Sequence, residues 1–428
     1  MKEIDRVEGR GFSRRSFLAS SAKISAGLFV SYAGVKEGTK LFERFLAAPL
    51  DQLEAERQAS VSNRDFIERN RDRLANIRLG SSFSPEEFRY LTDRDGEFAD
   101  PRQALGIVIN ELGIRDIRLG TRWSEVVDEK GEFDLRLFDI YYVPFIDYCI
   151  ENGVEICLNV GPIKTFRYPE DHVPQKVLDN LSYIPLKNTM IDPDLEMAEK
   201  ALNYLNSLLS YISSKYRGEK MERIKIVQPE NEPFNHAGRN KWALSHDYLL
   251  ATMGIINKYF PKSSILINSD GEKSLEEISD FFKILMQKNS QFRGRLISGI
   301  DFYHKKPGRV ELPVIGQLDP ITWEQVKGDN PFRENIERSR SREAPYKIEV
   351  TELQNEPWGS QTSPGNSASD LRFIIQRSLD HLIDPDKESV LRIWGIEMLV
   401  RRMIRGRLSK EQTEITDLIT KINFRSSD

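Results

Sequence analysis

Cysteine is almost missing from this chain, and the little there is points to no special chemistry. Cys149 and Cys157 are the two in 428 residues, too few for a disulfide framework. Cys149 falls in a helical pattern and Cys157 in an apolar strand, so both read as buried free thiols. Histidine is nearly as sparse. The five (His172, His236, His246, His304, His381) have no metal-ligand spacing and form no His-Glu-x-x-His. No metal or organic cofactor is expected. There is no Gly-x-Ser-x-Gly elbow, no phosphate-cradling glycine loop and no Gly-rich dinucleotide turn. Excess charge of one sign is lacking as well: 62 Lys+Arg against 66 Asp+Glu leaves a formal charge of -4, which argues against a nucleic-acid partner. Basic clusters such as "RRMIRGR", Arg401 to Arg407, read as a solvated face.

What is present begins with an ordinary globular balance, 39% hydrophobic and 30% charged, ample for a large core. The N-terminus departs from it. "GFSRRSFLASSAKISAGLFVSYAGV" sets Arg14-Arg15 directly before Phe17-Leu18 and a run of small and apolar residues. This resembles a twin-arginine export signal. Lys23 interrupts the run, which weakens it as a membrane-spanning helix. Residues 1–48 are therefore assigned as a signal or anchor segment, and residues 49–75, polar and helical in character, as a linker. Cleavage near "FLAAPL" (Phe45 to Leu50) and retention as an anchor both stay open. The resemblance implies export to the periplasm, cell surface or medium, with the translocation machinery as a partner. A retained segment would tether the protein to the membrane.

From residue 76 to 428 the pattern becomes regular. Short β-rich runs stand at Ile77–Ser82, Ile114–Leu119, Val154–Val160, Ile224–Val227, Ser264–Asn268, Leu296–Phe302, Tyr346–Glu352 and Val390–Trp394. Segments of helical period separate them, such as "LEMAEKALNYLNSLLSYISSKY". Strands alternating with helices imply parallel βαβ units, and eight of them predict a single α/β domain, a (β/α)8 TIM barrel. An open doubly wound sheet is the alternative, without a dinucleotide turn to support it. Active sites of such barrels lie at the C-terminal strand ends. The polar residues collect there: Arg118, Arg122 and Trp123 after the second run, Gln228, Asn231 and Glu232 after the fourth, Tyr303 and His304 after the sixth, Glu352 after the seventh, Trp394 and Glu397 after the eighth.

Two of these stretches end in glutamates about 120 residues apart, "IKIVQPENEPFN" and "IEVTELQNEPW". Glycoside cleavage with retention needs two carboxyls about 5–5.5 Å apart, one a proton donor and one a nucleophile. The ends of the fourth and seventh strands face each other across a barrel mouth, so Glu232 and Glu352 fit that need. In the seventh run, alternation puts Ile348, Val350 and Glu352 on one face and turns Glu349 outward with Lys347, as a structural ion pair. Glu230 and Glu356 are rival carboxyls beside the two Asn-Glu-Pro tripeptides. Trp123, Phe166, Tyr168, Trp358 and Trp394 could each stack on a sugar or simply pack.

Asn231-Glu232-Pro233 after a fourth strand, with Thr351-Glu352 ending a seventh, resembles the clan A retaining glycoside hydrolases, the superfamily of family-5 cellulase-like enzymes. That resemblance covers the barrel from Ile77 onward. It implies Glu232 as acid/base, Glu352 as nucleophile and Asn231 as the ligand of the sugar 2-hydroxyl. It further implies that Arg118 supports the nucleophile, that Trp394 floors a subsite, and that His304 or Tyr303 fills the strand-six position, although Lys306 departs from the His-x-Tyr pattern there. Gln228, Trp123 and Trp358 complete the expected substrate-binding set. A β-linked oligo- or polysaccharide or glycoside is the implied substrate. A transglycosidase with the same pair and a non-catalytic glycan-binding barrel remain as rivals.

Overall fold

Eight parallel strands close into a barrel in the computed structural model, which describes residues 61–96, 98–167, 170–269, 272–302, 331–341, 345–354 and 367–424. They are β1 (Ile77–Phe83), β2 (Asp116–Gly120), β3 (Glu155–Asn159), β4 (Ile224–Gln228), β5 (Ser264–Ser269), β6 (Leu296–Phe302), β7 (Lys347–Gln354) and β8 (Ser389–Trp394). Each pairs in parallel with the next, and β1 closes on β8. All eight coincide with the predicted runs, to within two residues at each end. The export-signal segment, Tyr168, Tyr303, His304, Glu356 and Trp358 lie outside the described residues.

The helices follow from apolar stripes and local caps. Glu196–Lys215 buries Ala201, Tyr204, Leu205, Leu208 and Ile212 along one face, the 3.6-residue period expected of a helix laid on a sheet. His246–Tyr259 starts at Ser245, whose hydroxyl accepts from the Tyr248 N–H, satisfying one orphan donor of the first turn. Residues 63–75, read from their polarity as linker, form two short helices with Phe66 and Leu74 buried. They lie against the C-terminal helix and β1. A two-residue parallel ladder, Met190–Ile191 with Ala243–Leu244, joins the loops after β3 and β4; it is too short to have a sequence signature.

The strands carry two separate cores. Outward residues such as Ile117, Leu158, Ile267, Ile348, Val350 and Leu391 join the large core beneath the helices. Cys157, Ile226, Leu266 and Ile297 form a small second cluster inside the barrel. Beside it lies a buried ion cluster: Arg392 bonds Asp116 (Nε–Oδ1, 2.7 Å) and Glu349 (Nη1–Oε2, 2.6 Å). The expected face assignment of β7 is thereby corrected. Ile348 and Val350 point outward, whereas Glu349 points into the lumen and pairs with Arg392 rather than with Lys347. The reason is a β-bulge: Val350 pairs Ile300 but Glu352 pairs Asp301, leaving Thr351 as an extra residue. A bulge puts two consecutive residues near one side, so Glu352 turns back toward the barrel axis.

Candidate active site

Arg118, at an inward position of β2 and fully buried, organises the mouth. Its Nη1 donates to Glu352 Oε1 (2.6 Å), its Nη2 to Asn231 Oδ1 (2.6 Å) and its Nε to Gln228 Oε1 (2.8 Å). The planar fork suits this divergence, and charge-assisted bonds of this kind are the strong ones. One guanidinium thus ties the end of β7 to the end of β4. Asn231 Oδ1 also accepts from Asn268 Nδ2 at 2.9 Å. With its oxygen doubly engaged, Asn231 has its Nδ2 left to donate elsewhere.

Glu232 is held by its backbone as much as by its side chain. It sits at φ 42°, a left-handed conformation that costs a non-glycine residue about 1–2 kcal/mol. Two contacts fix it there. The Glu232 N–H donates to Asn268 Oδ1 (3.0 Å), and the buried Lys164 ammonium donates to the carbonyls of Glu232 (2.7 Å) and Asn235 (2.8 Å). Asn235 Nδ2 donates to Glu232 Oε2 at 3.2 Å. Burial, and next the negative charge of Glu352, raises the Glu232 carboxyl above the ordinary range; contacts with Asp301, Lys164 and Asn235 offset part of this. A shift in that direction keeps a carboxylic acid loaded with its proton.

The neighbouring glutamates have other partners. Glu230 is fully buried, with Lys164 N–H donating to Oε2 (2.6 Å) and the Tyr248 hydroxyl to Oε1 (2.9 Å). It pins the β3 loop and the 246–259 helix to β4. Burial pushes it up to about 8, although those donors pull the other way. Glu397 accepts from the Ser84 N–H (2.8 Å) and pairs with Arg167, tying the β1 end to the β3 loop.

Of the expected site residues, Glu232, Glu352, Asn231, Arg118 and Gln228 come together as one hydrogen-bonded group. Gln228 lies beneath it, its bonds going to Arg118, Asn268 Oδ1 (2.7 Å) and the Glu230 carbonyl (3.2 Å), so its task is to hold Arg118. Trp394 stands at the mouth, edge-on to Phe166 (6.2 Å), with the Arg167 guanidinium 3.8 Å above its ring. Phe166 in turn lies under the Arg118 guanidinium at 4.4 Å. Trp123 is not in the group: it is buried in the outer core, stacked on Tyr204 at 5.1 Å.

Sequence reasoning missed Lys164, Asn268 and Asp301. Asn268 and Asp301 had a usable signal, since each is a strongly polar residue two positions beyond an inward one (Leu266, Gly299) in a strand with no other amide or charged residue. Lys164 had none, because its role depends on where the loop after β3 folds back.

No family model and no curated protein matches the chain. Solved structures similar to it include a family-5 glycoside hydrolase lichenase from Caldicellulosiruptor sp. F32 (13% identity, TM-score 0.48, covering 80% of this chain and 92% of that one). An exo-β-1,4-mannosidase from Opitutaceae bacterium strain TAV5 (13%, 0.48, 82% and 60%) and a family-10 endoxylanase from a sugarcane soil metagenome (13%, 0.45, 74% and 85%) are others. These likenesses are slight, and the site stands on its own distances.

Proposed function

We propose that this chain is a retaining β-glycoside hydrolase, with Glu352 as nucleophile and Glu232 as acid/base. The observation that carries this reading is the asymmetry of two neighbouring buried carboxyls. Glu352 is bound to the Arg118 guanidinium, while Glu232 has no guanidinium partner among the described residues and is pushed toward its protonated form by burial and by Glu352. Two carboxyls in such unlike surroundings are what double displacement needs. Glu352 attacks the anomeric carbon as Glu232 gives its proton to the departing oxygen. Once the ester has consumed the Glu352 charge, the push on Glu232 falls, and it can take a proton from the incoming water. Asn231 Nδ2 serves the hydroxyl next to the anomeric carbon, and Trp394 lines the same subsite, with its indole N–H meeting no acceptor among the described residues. Such an orphan donor suits a polyhydroxylated ligand. Tyr303, His304 and Trp358 belong to this reading as further subsite residues, and export through the twin-arginine pathway belongs to it on the strength of Arg14-Arg15.

The test is trapping with activated 2-fluoro β-glycosides. The labelled peptide should contain Glu352. Glu232→Ala should still be glycosylated by substrates with good leaving groups and should regain turnover with azide. A label on any other carboxyl, or oligosaccharide binding by the wild type without labelling or turnover, would end the proposal.

A further inference from the structure

The mouth holds a third carboxyl that the two-glutamate chemistry leaves unused. Asp301, on β6, is fully buried and lies directly across from Glu352 in the strand register. Its surroundings define its charge. Asn268 Oδ1 accepts from the Glu232 backbone N–H and from Gln228 Nε2, so the orientation of that amide is settled. Asn268 Nδ2 then donates to Asp301 Oδ2 at 2.6 Å. The other oxygen, Oδ1, is buried with no donor among the described residues. The Asp301 carboxyl is also within hydrogen-bonding reach of the Glu232 carboxyl. The two nearby cations among the described residues are engaged elsewhere: Arg118 with Gln228, Glu352 and Asn231, and Lys164 Nζ with two backbone carbonyls. Two carboxylates in contact, with no cation among the described residues between them, cannot both be ionised.

We infer that Asp301 is a positioning residue for Glu232: it keeps its proton throughout the reaction and donates it in a hydrogen bond to Glu232 whenever Glu232 is ionised. This deepens the glycosidase reading and rests on it for the catalytic step. In the first half-reaction the Glu232 O–H bond breaks, its proton goes to the leaving oxygen, and the new carboxylate is met by the Asp301 O–H. In the second, water gives a proton to Glu232 as its oxygen bonds to the anomeric carbon and the Glu352 ester bond breaks. Asp301 begins and ends protonated, so nothing outside the site is consumed. The direction of its titration agrees. Burial, then the charges of Glu352 and Glu232, holds the Asp301 carboxyl well above the usual carboxylate range, against a smaller pull from Arg118.

Two variants separate the roles. Asp301→Asn keeps a hydrogen-bond donor without a titrating group; Asp301→Leu removes both. With an aryl β-glycoside, the alkaline limb of kcat/KM reports loss of the Glu232 proton. In Asp301→Leu that limb should move up by about one pH unit, because the ionised Glu232 has lost its donor. In Asp301→Asn it should move less. A limb that moves down would make Asp301 an anion, and one that stays put in both variants would make it merely structural; either result overturns the inference. A second arm needs no substrate. An acid whose folded pKa is raised loses stability as pH climbs from its unfolded pKa toward its folded one. The urea midpoint of the full chain should therefore fall with pH more steeply in the wild type than in Asp301→Asn, by one proton. Equal slopes overturn the inference even if no glycoside is ever turned over, whereas an inert wild type with unequal slopes sinks the glycosidase reading alone.

Discussion

A glutamate in the left-handed region directly before a proline is doubly disfavoured, since the residue preceding proline is steered toward extended conformations. Glu232 nevertheless sits there, at φ 42°, and strain of this kind persists only where the surroundings over-determine it. The over-determining residue is Lys164, whose ammonium holds the carbonyls on either side of the turn at 2.7 and 2.8 Å. Lys164→Met should keep most of the side-chain volume and lose both bonds. Leaving two buried carbonyls without their charged donor should cost about 2–3 kcal/mol of stability, read from urea denaturation. It should also lower kcat by about 10–100-fold with a smaller change in KM, since a misplaced acid affects the reacting bond before it affects binding. A KM effect larger than the kcat effect would show that Lys164 shapes the subsite and not the acid.

At the scale of the strand, the bulge in β7 decides which glutamate enters the site, and a glycine makes room for it. A Cβ on Gly299 would stand 2.2 Å from Thr351 Oγ1 and 2.8 Å from Asn268 Cβ. Gly299→Ala therefore presses on the extra residue of the bulge and on the amide that orients Glu232. Overpacking of this sort costs about 1–3 kcal/mol, but activity should fall further than that loss of stability would suggest, because both displaced neighbours adjoin the proposed catalytic pair. Gly299→Ala combined with Thr351→Ala should recover part of the stability, measured as a thermal midpoint, since the worst clash is removed and those with Asn268 Cβ and, at 3.1 Å, Leu266 Cδ1 remain. The same element shows how much the sequence could disclose. The eight strands were legible because apolar β-branched runs bounded by polar strand ends are a local property. The faces of Ile348, Glu349 and Val350 were not. Alternation along "IEVTE" placed Ile348 and Val350 with Glu352, whereas the bulge at Thr351 separates them, and a register shift is a property of the pair β6–β7 rather than of either strand. That Glu232, Glu352, Asn231 and Arg118 come together at one end of the barrel was legible from strand-end position and from the resemblance. Trp123 was not, because an aromatic residue after a strand end enters the core or the mouth according to a loop path no local pattern records.

For the molecule as a whole, closing eight strands creates an interior that must be filled, and this chain fills it below the site partly with apolar side chains and partly with charge. Asp116, Glu349 and Arg392 come from β2, β7 and β8, none of them more than slightly exposed. Burial opposes the Arg392 charge, and the two acids more than offset it, while Glu349 is raised above its ordinary range chiefly by burial. Removing one member of a buried ion group typically costs 3–5 kcal/mol, because the remaining charges are left uncompensated, whereas replacing the whole group with apolar residues is often neutral or stabilising. Arg392→Met should therefore destabilise the barrel by about 3–5 kcal/mol near pH 8. The sign of its pH dependence follows from the acids left behind. Without Arg392 the folded pKa of Glu349 rises further above its unfolded value, so the variant loses stability as pH rises through that interval and regains it on acidification. The deficit relative to the wild type should accordingly be smaller at about pH 5 than at about pH 8 in urea denaturation. The triple replacement Asp116→Val, Glu349→Leu and Arg392→Met should recover most of the loss at both pH values. It should also leave the Arg118–Glu352 pair in place above it, so 2-fluoro glycoside labelling of Glu352 should survive in the triple variant. Loss of labelling with the fold intact would mean that the buried ions below the site fix its geometry as well as the barrel's.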